Sequence, residues 1–370
     1  MKKEKKKTTK SHKKVKIIIT MAVLLIIAGV GAYFYLEKYA SKDIIPKKKK
    51  EPKVEKKLTI VDEDSNKRPI AVMIDNNIGN NPHAGLQESY LNYEIIVEGG
   101  LTRIMAIFKD KDVSLIGPVR SSRHYFLDYA LESNCIYTHY GWSTYAQNDI
   151  KSLGVNNING LYDDDPFWRE KNIAAPHNVF TTIPKIYDYA TKKNYETTTD
   201  NWKLLNYTAD EVALDAPIET KTVTNEETGK KEKVEVKNPS LLTANSISIP
   251  YSYQEVRSYT YDATQKVYLR YMNGKAHMDK ATNSQLHYKN IIIQKVSNHQ
   301  LDSYGRQDLD TTGSGEGYYI TNGYALPIIW TKSSRSAKTI YTYSDGSKVK
   351  INDGNTFIQI MPSAYSPTIE

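Results

Sequence analysis

Hydrophobic and polar positions change character three times along the chain. No charge occurs between Lys16 and Glu37. A helix over residues 17–36 would extend about 30 Å, the thickness of a bilayer core. Tyr33 and Tyr35 fall near its end, where amphipathic rings suit a membrane interface. Residues 37–67 are lysine, glutamate, proline and aspartate with scarcely any apolar periodicity, which predicts a charged, solvated linker. From Arg68 the apolar runs shorten. "RPIAVMIDN", "EIIVEGG", "LTRIMAIF", "DVSLIG" and "CIYTHYG" predict strands. Helical spacing is expected from Ala84, in "SSRHYFLDYALES" with Ser121 or Ser122 as N-cap, and in "STYAQNDIKSLG". Strands alternating with helices predict an α/β layered N-terminal domain over 68–205.

Residues 206–245 include "TNEETGKKEKVEV" and predict a linker or exposed hairpin insert. After it "SISI", "VRSYTYD", "VYLRYM", "NIIIQKV", "GYYIT", "ALPIIW" and "TFIQIM" are separated by turn signals such as Asn273-Gly274 and Asp353-Gly354. They predict a β-rich C-terminal domain over 246–362, followed by a tail, 363–370. "GSGEG", 313–317, lacks the lysine of a phosphate loop and is expected to be a flexible turn.

Charge alters what the basic composition means. The chain carries +8 formally, but residues 1–57 hold 18 lysines against five acids. The remainder is therefore mildly acidic, and nucleic acid is not an expected partner. Lysines 10, 13, 14 and 16 crowd the near flank of the apolar segment, which favours a cytoplasmic tail over 1–16 and an extracytoplasmic bulk. A cleaved signal peptide at Val30-Gly31-Ala32 is the alternative. The one cysteine, Cys135, sits in a strand-like run and is expected to be a core thiol. None lies near the membrane segment to accept a lipid.

Candidate chemistry gathers at strand ends. Asp75 closes one strand, Arg103 opens another after the Gly99-Gly100 turn, and Arg120 and Arg123 follow a Gly-Pro pair. In α/β sheets, ligands bind outside the carboxyl ends of strands. Arg103, Arg120 and Arg123, with His177 and Asn178 of "AAPHNVFTT", are the anion-binding candidates. Asp75 and Glu98 are possible metal or pairing carboxylates. The alternative is that the arginines pair with Asp75, Glu98 or Asp128 and merely brace the loops. "DDDPFWR", 163–169, is either a hard-cation cluster or an exposed turn. The histidines have no zinc-type spacing, so no metal or other cofactor is expected from the motifs.

"RPIAVMIDNN", "YEIIVEGGLTRIMAIF", "IGPVRSSRHYFLDYALE", "HYGWS" and "APHNVFTT", followed by the C-terminal strand series, resemble the YerB-like family of bacterial envelope proteins. That resemblance covers residues 68–362 and implies anchoring outside the cytoplasmic membrane of Gram-positive bacteria, without an established activity. Many members look like lipoproteins; here a transmembrane helix would substitute. The order Asp75, Arg103, Arg120 is also similar to that in LytR-CpsA-Psr phosphotransferases, although their Arg-Ser-Asp-Thr motif is reduced to Thr102-Arg103. The leading expectation is a membrane-anchored binding or regulatory module with an arginine-lined pocket for a cell-wall precursor or envelope protein. One alternative is a Mg²⁺-dependent phosphotransferase acting on lipid-linked cell-wall glycopolymer precursors. The other is a wall-associated scaffold using the β domain.

Overall fold

The computed structural model describes residues 4–39, 56–77, 79 and 83–370, which form two units, one within 1–55 and one over 56–370. Most of the expected charged linker, residues 40–55, lies outside the described residues.

In the first unit a helix, α1 (Glu4–Tyr39), contains the apolar stretch Val15–Lys38. Its 24 residues reach about 36 Å, enough to cross a bilayer, and none of its apolar window is buried against protein.

The second unit is built on an eleven-stranded mixed sheet. Its N-terminal strands are β1 (Ile70–Asp75), β2 (Leu91–Ile96), β3 (Thr102–Phe108), β4 (Ile136–His139) and β5 (Asn157–Asn159). All residues of β1, β2 and β3 are buried, as near-continuous apolar strands covered on both faces must be. Two helices follow the first three strands, α2 (His124–Glu132) and α3 (Thr144–Ser152). A two-stranded ribbon, β6 (Phe167–Arg169) with β7 (Val179–Thr181), leads into α4 (Ile183–Lys192). Tyr125, Phe126, Leu127 and Tyr129 of α2 join the same core as the β1–β4 side chains. The architecture is thus an N-terminal helix, a mixed α/β region and a strand-rich C-terminal region.

The two regions share one sheet. The C-terminal strand Thr356–Pro362 lies parallel between β2 and the strand Asn290–Val296, with Leu91 opposite Thr356 and Ile95 opposite Ile360. Residues 68–205 and 246–362 are therefore successive stretches of one compact body. The reason is edge satisfaction: β2 and Thr356–Pro362 are wholly buried, and pairing supplies their main-chain partners. Between them the hairpin Glu219–Thr224 with Lys231–Val236 is exposed, in the form expected for the insert.

Several local expectations are corrected. From Ala84 the chain makes only the short 3-10 turn Leu86–Glu88, and "DVSLIG" forms isolated bridges, Ile116 to Thr181 and Ala84 to Gly117. The N-cap of α2 is Arg123, not a serine. "GSGEG" begins the strand Gly313–Thr321, because its glycines permit close approach: a Cβ on Gly315 would stand 2.6 Å from the Trp330 indole, and one on Gly317 2.1 Å from the Ile293 carbonyl oxygen. The tail is held too, since Thr368–Ile369 pairs with the strand Ser246–Pro250. The end of the linker is fastened as well, Asp353 accepting from the backbone of Thr59 and Ile60 at 2.8 and 3.0 Å.

Candidate functional site

The site forms where three segments run side by side. β1 ends at Asp75, in register with Arg103 of β3. The loop after Gly117-Pro118 lies against that end: Asp75 N–H donates to the Pro118 carbonyl at 2.8 Å, and Arg120 N–H to the Met73 carbonyl at 2.9 Å. Val119 N–H in turn donates to the Val179 carbonyl at 2.7 Å, which brings His177 alongside. Main-chain pairing thus delivers Asp75, Arg103, Arg120 and His177 to one place.

Asp75 is the hub. Its side chain is 3% exposed, and Oδ2 meets His177 Nδ1 at 2.6 Å and Arg120 Nε at 3.1 Å. The latter contact is an ion pair without hydrogen-bond geometry. Oδ1 accepts the Asn77 N–H at 3.1 Å. Arg103 donates from Nη1 to the Ser121 carbonyl at 2.7 Å, while its Nε is buried without a partner. Burial first, then the positive charge of Arg123, push the Arg103 guanidinium down to about 10, with Asp75 and Glu98 opposing.

Arg123 is committed. Its Nε and Nη2 grip both oxygens of Glu98 at 2.5 and 2.8 Å, and Nη1 donates to the Ser122 carbonyl. Burial opposes ionisation of Glu98, but Arg123 outweighs it and holds the carboxyl below its ordinary value. Of the expected anion-binding set, Asn178 is turned elsewhere: its Oδ1 accepts from Arg169 at 2.7 Å and its Nδ2 donates to the Glu170 carbonyl. His124 pairs with Asp308. The carboxylates of "DDDPFWR" face lysines, Asp163 with Lys193 and Asp165 with Lys192. Cys135 is buried, which pushes its thiol up to about 12. Among the described residues no group of three or more His, Cys, Asp or Glu is arranged to hold a metal.

Behind Asp75 lies a buried network that the sequence did not announce. Glu94 of β2 accepts from Arg257 Nε at 2.6 Å and from Arg270 Nη2 at 2.5 Å, all three side chains fully buried. Thr102 and Asn76 donate to the same carboxylate. Arg270 Nε also donates to His277 Nδ1 at 3.0 Å. A guanidinium can only donate, so His277 carries its proton on Nε2. That proton goes to His83 Nδ1 at 2.6 Å, leaving His83 Nε2–H to donate to the Asp75 carbonyl at 2.5 Å. The chain has one direction, and both imidazoles are neutral in it. Burial pushes His83 down to about 4 and His277 well below its ordinary value. The one signal was charge inside strand patterns, in "NYEII", "VRSYTYD" and "VYLRYM".

Two domain families match the chain, both described as protein of unknown function (DUF3048): the N-terminal domain over residues 58–196 and the C-terminal domain over 247–358. Over 348 residues, 91% of this chain and 94% of the relative, it is 28% identical to YerB of Bacillus subtilis (strain 168), a protein described provisionally as a lipoprotein. The crystal structure of YerB from Bacillus subtilis matches with a TM-score of 0.67 at 27% identity, covering 82% of this chain and 94% of that one.

Proposed function

The chain belongs to the YerB-like (DUF3048) family, and from that premise we propose that it is a membrane-anchored extracytoplasmic module. In this reading it binds a phosphate- or carboxylate-bearing component of the cell envelope at Arg120, with His177 standing beside it. The charge inventory of the site carries the reading: three guanidinium groups stand against two carboxylates around one strand end. Like charges gathered in a low-dielectric setting repel, and an anion offsets that cost. Arg120 and His177 keep 27% and 28% of their side chains exposed. Among the described residues, neither the Nη nitrogens of Arg120 nor Nε2 of His177 has a protein partner. Arg123, locked on Glu98, is a brace in this reading. Supporting the topology are the 24-residue apolar stretch within α1 and the lysines on its N-terminal flank. With its one cysteine buried, the helix takes the place a lipid holds in a lipoprotein.

A Mg²⁺-dependent transferase is less well supported by the donor set. Both Glu98 oxygens are taken by Arg123, and Asp75 Oδ2 is shared by Arg120 and His177. Guanidinium groups beside both carboxylates repel a hard cation that needs open oxygen ligands.

Titration calorimetry of the full-length protein in detergent, with dimethyl phosphate and with acetate as probes, tests the reading. Wild type is expected to bind at least one probe, and R120A to bind it at least tenfold more weakly, the order of one charge-assisted contact. No heat with either probe, or R120A indistinguishable from wild type, would refute it.

A further inference from the structure

We infer that His177, oriented by Asp75, is a proton-transferring catalytic residue, and that the site hydrolyses a phosphodiester. This rests on the anion-binding reading above and adds chemistry to it. A site that only held an anion would gain nothing from a carboxylate beneath it, since Asp75 repels the ligand. What the carboxylate does supply is orientation. It accepts the His177 Nδ1 proton at 2.6 Å, so Nε2 is the ring nitrogen left to act. An unprotonated Nε2 offers an anion only a lone pair. Beside a bound phosphate, that lone pair is placed to take a proton from water.

Asp75 is itself held fixed. Its Oδ1 accepts from Asn77, and its carbonyl accepts the final proton of the one-way chain from Arg270 through His277 and His83. Arg120 touches the same carboxylate oxygen as His177, so a phosphate on the Nη nitrogens of Arg120, which have no partner among the described residues, lies next to the imidazole. Charge selects the class of ester. Three arginines less two carboxylates leave one spare positive charge among these fixed groups. A phosphodiester carries one negative charge and matches it; a monoester dianion does not.

In the reaction, water oxygen bonds to phosphorus as one water proton passes to His177 Nε2. The bond from phosphorus to the leaving oxygen breaks, and that oxygen keeps the electron pair. It then takes the proton from His177, giving an alcohol and a phosphomonoester and returning the imidazole to its starting form. Arg120 faces the charge that builds on the non-bridging oxygens, and the buried charge of Arg103 adds to the field from behind.

The test incubates the full-length protein in detergent with bis(4-nitrophenyl) phosphate in the presence of a chelator, following release of 4-nitrophenolate. Wild type is expected to turn over, and H177Q to lose about 100-fold or more in kcat, the usual worth of a general base. H177Q should still bind dimethyl phosphate within about threefold of wild type, and added imidazole should restore part of the activity of H177A. The monoester 4-nitrophenyl phosphate should turn over more slowly than the diester. Absence of turnover, turnover that the chelator abolishes, unchanged kcat in H177Q, or preference for the monoester would each overturn the inference. If dimethyl phosphate still binds wild type in calorimetry, the hydrolysis alone has failed; if it does not, the anion-binding reading has failed too.

Discussion

Replacing Glu94 by glutamine keeps the shape of the side chain and removes the charge on which two arginines converge. Arg257 retains a second carboxylate, Glu255, at 2.5 Å. Among the described residues the other hydrogen-bond partners of the Arg270 guanidinium are neutral, Tyr259 and His277. The uncompensated charge therefore falls on Arg270, which is fully buried. Breaking a buried pair by removing one partner costs about 3–5 kcal/mol, and the lower end applies where one arginine keeps a partner. Protonation leads to the same figure. Burial raises the Glu94 carboxyl, but Arg257 and Arg270 outweigh it and hold the group down to about 2 against an ordinary 4.5. That separation corresponds to roughly 3 kcal/mol. For a unit of roughly 315 residues unfolding with about 2.1 cal/mol/K per residue, 3 kcal/mol lowers Tm by about 5 °C. The folded pKa lies below the unfolded one. The contribution is therefore complete above pH 4.5 and disappears as pH falls toward 2. Scanning calorimetry of wild type and E94Q at neutral pH, and again through that acid window, measures both effects. The gap between the two proteins should close as acid protonates the wild-type carboxyl. An E94Q melt within about 1 °C of wild type at neutral pH, or a gap that acid leaves unchanged, would refute the reasoning. Replacing the set together, Glu94→Leu with Arg257→Met and Arg270→Met, should recover much of the loss, because the intact pair also bears its desolvation cost.

Three further outcomes are expected. The unfolded chain takes up protons on His83 and His139 between about 6.5 and 4 while the folded protein holds both imidazoles neutral, so stability should fall as pH drops through that window; ¹⁵N NMR showing an imidazolium at either position at pH 6 would contradict this. R123A should destabilise by about 1–3 kcal/mol in urea unfolding, because it strands Glu98, while R120A, more exposed, should cost under about 1 kcal/mol; the reverse order would contradict the division between brace and ligand contact. G141A should lower stability by about 1–2 kcal/mol, since Gly141 has φ +84° and a Cβ there would stand 2.9 Å from Ser121 Oγ; a melt unchanged from wild type would show that the turn relaxes freely.

Period and composition by themselves determined the elements whose physics is local. The uncharged run after Lys16 dictates a bilayer-length helix, because nothing in it prefers water. The fully buried β1 and β3, the helices α2 and α3, and the exposed hairpin near residue 230 follow from their own patterns. The short Gly99-Gly100 turn requires β2 and β3 to run antiparallel, but it leaves open that β1 lies on the other side of β3 with Asp75 opposite Arg103. Contacts between distant stretches were decided only by the tertiary structure. No local pattern says that Thr356–Pro362 completes the sheet beside β2, since any buried apolar strand could fill that place. Nor can spacing tell whether an arginine spends its donors on a neighbour: Arg123 spends them on Glu98, 25 positions away, and Arg120 keeps two nitrogens without a partner among the described residues. Glu94 and its partners stand more than 160 positions apart in sequence, and only folding brings their charges within 3 Å. Hydrophobic period reports which face of an element is buried. The partner a buried charge needs is set by the three-dimensional arrangement alone.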